Sequence, residues 1–562
     1  MENIADVVWT GPWWKNRGIR KLNICIALVL LTSAINGYDS SVLNGIQIMP
    51  EWDRDFHKPS EETRGMMVAA QTFGALIGLP FAPWLSDGLG RRRTLCLGSA
   101  IMCGGVILQA LASGTVHFVA SRMLVGVGLC LATNSAPLLV TELAYPTQRA
   151  PITAMYNSSW YIGSIISAWV TYATLKTLTG STWAWRIPSI LQAAPSFLQA
   201  ILIWFIPESP RWLVAKGRDG EAIAILAKYH ANNRERDPLV YFTYGQIREA
   251  LSIERDVSKS SSYLQLFKTP GNRRRMRIVL AIGFFSQWSG NGLVSYYIKD
   301  VFKGVGVEDP GTVSLINGAL QIWNFFVAIT AALLVDKIGR RPLFLTSNAG
   351  MLVTFGMWTL AAALFQTRGN RDAANAVIAM IPLFYLTYSI AYTPMLVAYT
   401  VEILPFGIRA RGFALMNFTI CIGITTNQYV NPTALKRLGW KYYLVYCAFL
   451  AFELAYIFLF LVETKGKTLE ETAAIFDGQQ QIDNIANVGH DAVTQSRHHY
   501  GGYQPKSEDV ELSLSRHNSM VPTIVTERDD SDWRPMSADT NYSIQQKEVL
   551  KYRRNDSPDR PW

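Results

Sequence analysis

Apolar residues in this chain come in long blocks separated by short polar breaks, with no sustained alternation of period two. Twelve blocks lie near 22–46, 63–85, 94–113, 116–139, 152–175, 186–206, 277–301, 312–335, 342–364, 376–400, 411–433 and 441–462. As a helix rising 1.5 Å per residue, each is long enough to cross a bilayer core of about 30 Å. The pattern predicts twelve membrane-spanning helices. The seventh is interrupted by Gln287 and Asn291, the eleventh by Asn427 and Gln428. A polar stretch, 208–276, separates the sixth from the seventh, and its segment 219–231 reads as an amphipathic helix. Beyond 478 the chain turns to Ser, Asp, Arg, Asn and Gln. With so little apolar surface to bury, that tail is expected to be disordered.

Composition agrees with a membrane protein. Of 562 residues, 49% are hydrophobic and only 17% charged, against roughly 25% charged in soluble domains. A secreted disulfide scaffold, a wholly disordered chain and an ordinary soluble enzyme are excluded. The net charge of +10 would suggest nucleic acid in a soluble protein, but the positions of the charges explain it otherwise. Lys15, Arg17, Arg20 and Lys21 precede span one, and Arg91, Arg92 and Arg93 follow span two. Arg273, Arg274, Arg275 and Arg277 precede span seven; Lys337, Arg340 and Arg341 follow span eight; Arg409 and Arg411 follow span ten. All fall on one face, which the positive-inside rule makes cytoplasmic together with both termini. The asymmetry is not absolute, because Lys436, Arg437 and Lys441 fall on the other face. No nucleic-acid partner is expected. The cysteines, Cys25, Cys96, Cys103, Cys130, Cys421 and Cys447, all lie in apolar stretches without CxxC spacing. They read as small buried hydrophobes, with neither disulfides nor metal ligands. The first residues lack the apolar core and cleavage site of a signal peptide.

The chain repeats itself. Asp87-Gly-Leu-Gly-Arg-Arg-Arg93 returns as Asp336-Lys-Ile-Gly-Arg-Arg-Pro342, and Glu142 with Arg149 returns as Glu402 with Arg409. Pro207-Glu208-Ser209 is echoed by Val462-Glu463-Thr464. All three echoes are separated by roughly 250–260 residues. That spacing implies two homologous halves of six spans, with a site between them near the midplane, the plan of a secondary transporter.

These residues bring a family into view. Gly37-Tyr38-Asp39, Asp87…Gly90-Arg91-Arg92, Arg122…Gly126…Gly128, Glu142…Arg149, Pro207-Glu208-Ser209-Pro210-Arg211, Asp336…Gly339-Arg340-Arg341 and Glu463-Thr464-Lys465-Gly466 occur in order over about 22–471. The chain resembles the sugar-porter branch of the major facilitator superfamily. Trp185-Arg186-Ile187-Pro188, Lys228-Tyr229-His230 and Gln287-Trp288-Ser289-Gly290-Asn291 are similar to the fungal lactose-permease, cellodextrin and hexose transporter group. The resemblance implies an all-α membrane protein of twelve helices in two pseudo-symmetric six-helix bundles. The bundles would cover 22–207 and 277–463, with cytoplasmic segments at 1–21, 208–276 and 464–562.

Three sets of residues carry chemistry. Asp39 and Arg122 lie inside apolar spans, where each charge costs about 2.5–3.5 kcal/mol on insertion scales. They are most cheaply explained as a pair. The resemblance implies a proton switch in which protonating Asp39 frees Arg122; the alternative is a fixed ion pair holding spans one and four together. The second set, Asp87, Arg91, Glu142, Arg149, Asp336, Arg340, Glu402 and Arg409, sits at span ends. Its arginines and carboxylates are expected to latch the two halves while the carrier faces outward, extended by Glu208 and Arg211, the alternative being that the arginines only set topology. The third set suits a neutral, hydroxyl-rich ligand, which needs amides, hydroxyls and aromatic faces. It comprises Gln287, Trp288, Asn291, Tyr296 and Tyr297 in span seven, Gln321 and Asn324 in span eight, and Asn157, Trp160 and Ser164 in span five. Tyr392, Asn427 and Gln428 are weaker candidates. The resemblance places family sugar contacts at or beside Gln287, Asn291 and Asn324. For any single aromatic here, helix packing is the competing explanation, and buried amides also bond between helices.

The chain departs from family hexose porters at Ser164, where Gln is usual, at Val397, where Trp is usual, and at Gly292, where Asn is usual. Ser286-Gln287 stands where two Gln are usual. Smaller side chains suggest a roomier site, fit for a disaccharide such as lactose or cellobiose, or for a non-sugar polyol or metabolite. The expected function is transport of a sugar across the plasma membrane by alternating access with a proton as coupling ion. The alternatives are a carrier of a non-sugar metabolite and a transport-inactive sugar receptor. No P-loop and no Ser/His/Asp set stands out, so no enzyme activity and no cofactor are expected. The expected partners are the sugar and the bilayer, with a monomeric functional unit.

Overall fold

The computed structural model describes Trp9, 11–260, 263–465 and 475–476, without the side chains at 150, 151, 153, 154, 157, 249, 250, 253–260, 332–337, 406, 407 and 410. The expected disordered tail lies outside the described residues. So do the side chains of Asn157 and Asp336. All regular structure among the described residues is helical.

The first half holds span one (Arg17–Ile46), span two (Glu61–Gly78 and Phe81–Leu89), span three (Arg91–Ala110) and span four (Thr115–Leu143). Span five (Arg149–Thr177) and span six (Trp183–Leu191 and Ala193–Leu202) complete it. The second half holds span seven (Pro270–Trp288 and Asn291–Lys303), span eight (Pro310–Ile338), span nine (Arg340–Arg368), span ten (Arg371–Ile403), span eleven (Phe406–Leu438) and span twelve (Lys441–Phe460). Span two bends by 53° between its pieces. Among the described residues, eight helices are long and apolar enough to cross a bilayer, or nine with the bent pair counted as one. The three spans that fall short are five, seven and eleven. Span seven is split by its break and begins with Arg273, Arg274, Arg275 and Arg277, while amides and hydroxyls lower the apolar content of spans five and eleven.

Lipid chains are as apolar as leucine, so burial of apolar surface does not drive these helices together. Close backbone approach does. A Cβ on Gly37 of span one would lie 1.8 Å from the Trp160 carbonyl of span five, and a Cβ on Gly163 would lie 1.8 Å from the Ala34 carbonyl. Two glycines thus let the same helix pair touch along its backbones. Each half has its own apolar core. The largest cluster joins Phe285, Phe344, Phe355, Trp358, Phe384 and Tyr446 in the second half. A cluster with Leu22, Ile26, Leu139 and Val140 serves the first. Tyr297 of span seven is buried in a first-half cluster with Tyr38, Val42 and Trp52, so it bridges the halves.

The polar stretch after span six folds into Pro210–Ala215, Asp219–His230, Pro238–Ser260 and Gln265–Lys268. The amphipathic segment expected at 219–231 coincides with the second of these. His230 anchors it: Nε2 lies 3.1 Å from the Leu143 carbonyl at the end of span four, and the ring meets Tyr145 edge-on at 5.3 Å. Burial, with the nearby Arg149 charge, pushes His230 down to about 4, against an opposing contribution from the Leu143 carbonyl. The ring is therefore neutral when docked. Because the undocked chain binds the extra proton below about 6.5, docking is fully favourable above that pH and weakens as pH falls from 6.5 toward 4. We expect amide hydrogen exchange in Asp219–His230 to accelerate across that window, and His230→Gln to abolish the pH dependence.

Candidate functional site

The chain order makes a break in span seven. The helix stops at Trp288, Gly290 takes φ +102°, and a new helix starts at Asn291. Only glycine fits there, since a Cβ would meet the Phe355 ring at 2.6 Å. A break frees carbonyls, and tyrosines of span ten take them. The Tyr388 hydroxyl donates to the Ser286 carbonyl at 2.8 Å, and the Tyr385 hydroxyl donates to the Asn291 carbonyl at 3.0 Å. Tyr385 also shares a hydrogen bond of 2.8 Å with Ser295. Asn291 Nδ2 donates to the Ser286 carbonyl at 3.2 Å and to the Tyr388 hydroxyl at 3.3 Å. Broken helices of this kind line binding sites in transporters, because only there can irregular backbone persist at membrane depth.

A polar seam runs from this break across the two halves. Ser164 of span five donates to Gln321 of span eight at 2.8 Å and bonds Ser41 of span one. Gln321 Nε2 and Asn44 Nδ2 each lie 3.5 Å from Asn317 Oδ1, and Asn44 donates to the Val294 carbonyl at 3.2 Å. Asn324 is buried with its amide oxygen unpartnered. The seam unites Ser164, Gln321 and Asn324 with three residues the sequence reading missed: Ser41, Asn44 and Asn317. The missed signal was the repeat Asn317, Gln321, Asn324 at helical spacing, one polar stripe on span eight.

Other expected contacts sit elsewhere. Trp288 stacks on Phe284 at 5.3 Å and meets Phe449 and Tyr446, so it belongs to second-half packing. Tyr297 donates its hydroxyl to the Gln428 carbonyl and lies in the first-half cluster. Tyr296 is half-buried, and its carbonyl accepts from Gln47 at 3.3 Å. Gln287 is half-buried and donates to Ser286 Oγ at 3.1 Å. The roomier site expected from small residues is corrected at two of three places. Asn427 Nδ2 lies 3.1 Å from where a Gly292 Cβ would stand, and Gln321 and Ser41 occupy the surroundings of Ser164. Amides from other helices fill these gaps, which single-chain spacing does not reveal. Val397 is 44% exposed, so nothing comparable covers it.

Asp39 and Arg122 are both buried. They do not form the direct pair expected. Both Asp39 oxygens and Arg122 Nε and Nη1 are unpartnered at hydrogen-bond distance. Arg122 and the Gln192 amide of span six are the groups that act on Asp39.

On the basic face, two matching networks form. Arg91 Nε lies 3.3 Å from Glu142, and Arg91 Nη1 lies 2.8 Å from Asp87. Glu142 also accepts from Ser209. Glu208 accepts the Arg92 backbone N–H at 3.1 Å. In the second half, Arg340 grips Glu402 at 2.9–3.2 Å, Thr464 donates to Glu402, and Glu463 accepts the N–H groups of Arg340, Arg341, Thr464 and Lys465. Burial would raise the Glu463 carboxyl, but those four donors outweigh it and hold it below the ordinary range. Arg149 and Arg211 lie beside one another, and Arg211 acts on Glu142. Arg409 donates to the Leu404 carbonyl at 3.1 Å. Arg91–Glu142 and Arg340–Glu402 each join spans of one half, so in this conformation these pairs brace the halves internally.

The halves instead meet at the opposite face, through charges that went unnoticed in the sequence. Arg64 of span two lies 3.2 Å from Asp53, 3.4 Å from Asp300 and 3.6 Å from Glu61. Lys299 of span seven lies 2.5 Å from Asp53 and donates to the Gln47 carbonyl at 2.8 Å. The conformation is therefore sealed at that end.

Partly exposed pairs contribute about 0.2–1 kcal/mol each. Three carboxylates converge on Arg64, so Arg64→Gln removes their common partner and leaves them facing one another. We expect the balance to move about tenfold toward separation at that end. Spin labels placed on either side of the seal should report the longer distance, and an unchanged distance distribution would refute the seal.

The comparisons with known proteins fit this architecture. The chain is 26% identical over 468 residues to the MFS-type transporter criB of Aspergillus cristatus, covering 83% of this chain and 95% of that protein. It is 26% identical over 510 residues to a high-affinity glucose transporter of Kluyveromyces lactis, covering 86% and 89%. Its fold matches the structure of the MFS proton:xylose symporter XylE bound to 6-bromo-6-deoxy-D-glucose, with TM-score 0.65, 22% identity, and coverage of 81% and 99%. A family model described as "Sugar (and other) transporter" matches residues 25–476, and the chain, a multi-pass membrane protein, belongs to that sugar-porter family of the major facilitator superfamily.

Proposed function

We propose that this protein carries a monosaccharide or a close polyol across the plasma membrane by alternating access, in symport with a proton, with both termini in the cytoplasm. The observation that carries the reading is the seam at the break of span seven. Its groups are amides, hydroxyls and carbonyls with no fixed charge, the partners that a neutral polyhydroxyl ligand needs. The filled positions beside Gly292 and Ser164 favour one sugar ring over a disaccharide. The arginines of the basic face support a cytoplasmic placement.

Transport follows from the two ends. The seal of Arg64, Asp53, Asp300 and Lys299 closes the outer side, so the conformation described is the inward-directed one. For the opposite state, the halves rock about the seam and the ends exchange roles. Asp39 and Arg122 supply the coupling. Each is buried without a hydrogen-bond partner, so the charged form of each costs free energy that the other offsets only in part. A proton on Asp39 removes that attraction and biases the equilibrium.

The test is uptake of labelled glucose into transporter-deficient yeast expressing the chain, with external pH recorded. Entry with matching alkalinisation supports the reading; no uptake by surface-expressed protein moves it to a non-sugar solute. One proton charge crossing 100 mV supplies about 2.3 kcal/mol, roughly 50-fold accumulation at tenfold per 1.4 kcal/mol. Asp39→Asn should abolish that accumulation while counterflow exchange persists. Removing the seam amide with Gln321→Ala should weaken apparent affinity about tenfold, the scale of one lost hydrogen bond to a buried partner, while maximal exchange changes less. Unaltered affinity in Gln321→Ala would place the sugar elsewhere.

A further inference from the structure

One buried ionisable group has no place in this mechanism. Glu453 lies in span twelve, fully buried, with neither carboxyl oxygen hydrogen-bonded. It shares the buried face of that helix with Tyr446, Leu450 and Ile457, the spacing of one helical stripe. A carboxyl there is not explained by packing, because an apolar side chain of similar size fills such a position without desolvating a polar group.

Among the described residues, no cation lies within hydrogen-bond distance of Glu453. Leu450 and Ile457, which flank Glu453 on its buried face, belong to a cluster that contains Tyr392 of span ten, with Tyr388 packed against it. Its own helix contributes Tyr446, Cys447 and Tyr456. Span seven contributes Arg277 at its basic end, where the Arg277 carbonyl accepts from Tyr456 at 3.3 Å. Span nine has no ionisable residue between Pro342 and Thr367, and span eleven has only Cys421 and Tyr429 between Gly412 and Leu435. An ionised Glu453 would have nothing to offset its desolvation.

Glu453 also connects to the seam. Tyr392 stacks on Tyr388 at 5.3 Å with 12° between the rings. Tyr388 in turn holds the Ser286 carbonyl just before the break of span seven and accepts from Asn291 just after it. Glu453 and both phenols thus border one buried cluster, and one of those phenols fixes the break.

We propose that Glu453 is a second proton-binding site of this carrier, placed in the second half and coupled through Tyr392 and Tyr388 to the break of span seven. In the sealed conformation its carboxylate has taken one proton from water to give the neutral acid. The proton returns to water when the break rearranges and the carboxyl gains donors or solvent; no other bond changes. The proposal rests on the alternating-access reading but not on the identity of the sugar.

The experiment is infrared difference spectroscopy of the purified full chain in lipid, with the Asp39→Asn variant to remove the other acid fully buried within a span. The expected result is a protonated-carboxyl band that is absent from Glu453→Gln, shifts on transfer to deuterated water and disappears at alkaline pH. Glu453→Asp should restore such a band, which also covers the case in which the Gln variant does not fold. Tyr388→Phe should move the midpoint of the titration by about one pH unit, a tenfold change in proton affinity. Identical spectra for parent and Glu453→Gln, or a band that neither exchanges nor titrates while the chain stays folded, would overturn the site. A titrating band with an unmoved midpoint in Tyr388→Phe would overturn the coupling. None of these readings needs sugar transport, so failure of glucose uptake is separable from failure here.

Discussion

Everything in this structure depends on the absence of water from the bilayer core. There, an unsatisfied backbone or side-chain polar group costs several kcal/mol. Helices satisfy their own backbones, and the chain is helical wherever it crosses. Where span seven breaks, the exposed carbonyls of Ser286 and Asn291 are taken by Tyr388 and Tyr385. The tyrosines make the break affordable, and the break gives the protein a polar site at membrane depth. Any ligand bound there competes with, or adds to, hydrogen bonds that already exist.

The same constraint explains the symmetry of the basic face. Span three and span nine both start at a glycine of positive φ, Gly90 at +102° and Gly339 at +111°. Each leaves backbone N–H groups unpaired at a helix N-terminus, which favours an anion. Glu208 supplies it for the first half and Glu463 for the second. Each anion comes from the segment just after the sixth span of its half. The repeat therefore preserves a complete device: a glycine turn, a helix start, a capping carboxylate and an arginine gripping a second glutamate. Such braces let each half move as a body.

The two ends of the molecule use charge differently. At the basic face the ion pairs Arg91–Glu142 and Arg340–Glu402 stay within a half. At the other face they cross between halves, with Arg64 reaching Asp300 and Lys299 reaching Asp53. In the proposed rocking motion, pairs within a half survive, whereas pairs between halves must break and reform. The weak, partly exposed crossing pairs suit that requirement, because each is worth little alone. Inside, Asp39, Arg122 and Glu453 remain buried without partners.

The sequence by itself determined the twelve spans, the basic face and the duplicated halves. Helix length, Lys and Arg position, and internal repeat are one-dimensional quantities, and the bilayer reads them directly. It also marked span seven, since Gln287, Gly290 and Asn291 interrupt an apolar run. Only the tertiary structure decided who meets whom. Ser164 and Gly292 looked like empty places, yet Gln321 and Asn427 fill them from helices far away in the chain. Trp288 looked like a ligand contact, yet it packs on Phe284 and Phe449. In this conformation Arg91–Glu142 and Arg340–Glu402 brace each half internally, and the ion pairs between halves come from Arg64, Lys299, Lys436 and Arg437. Glu453 was passed over because a single glutamate in an apolar helix has no periodicity to announce it. Its isolation is a property of the neighbours, and neighbours across a helix bundle are set by packing in three dimensions.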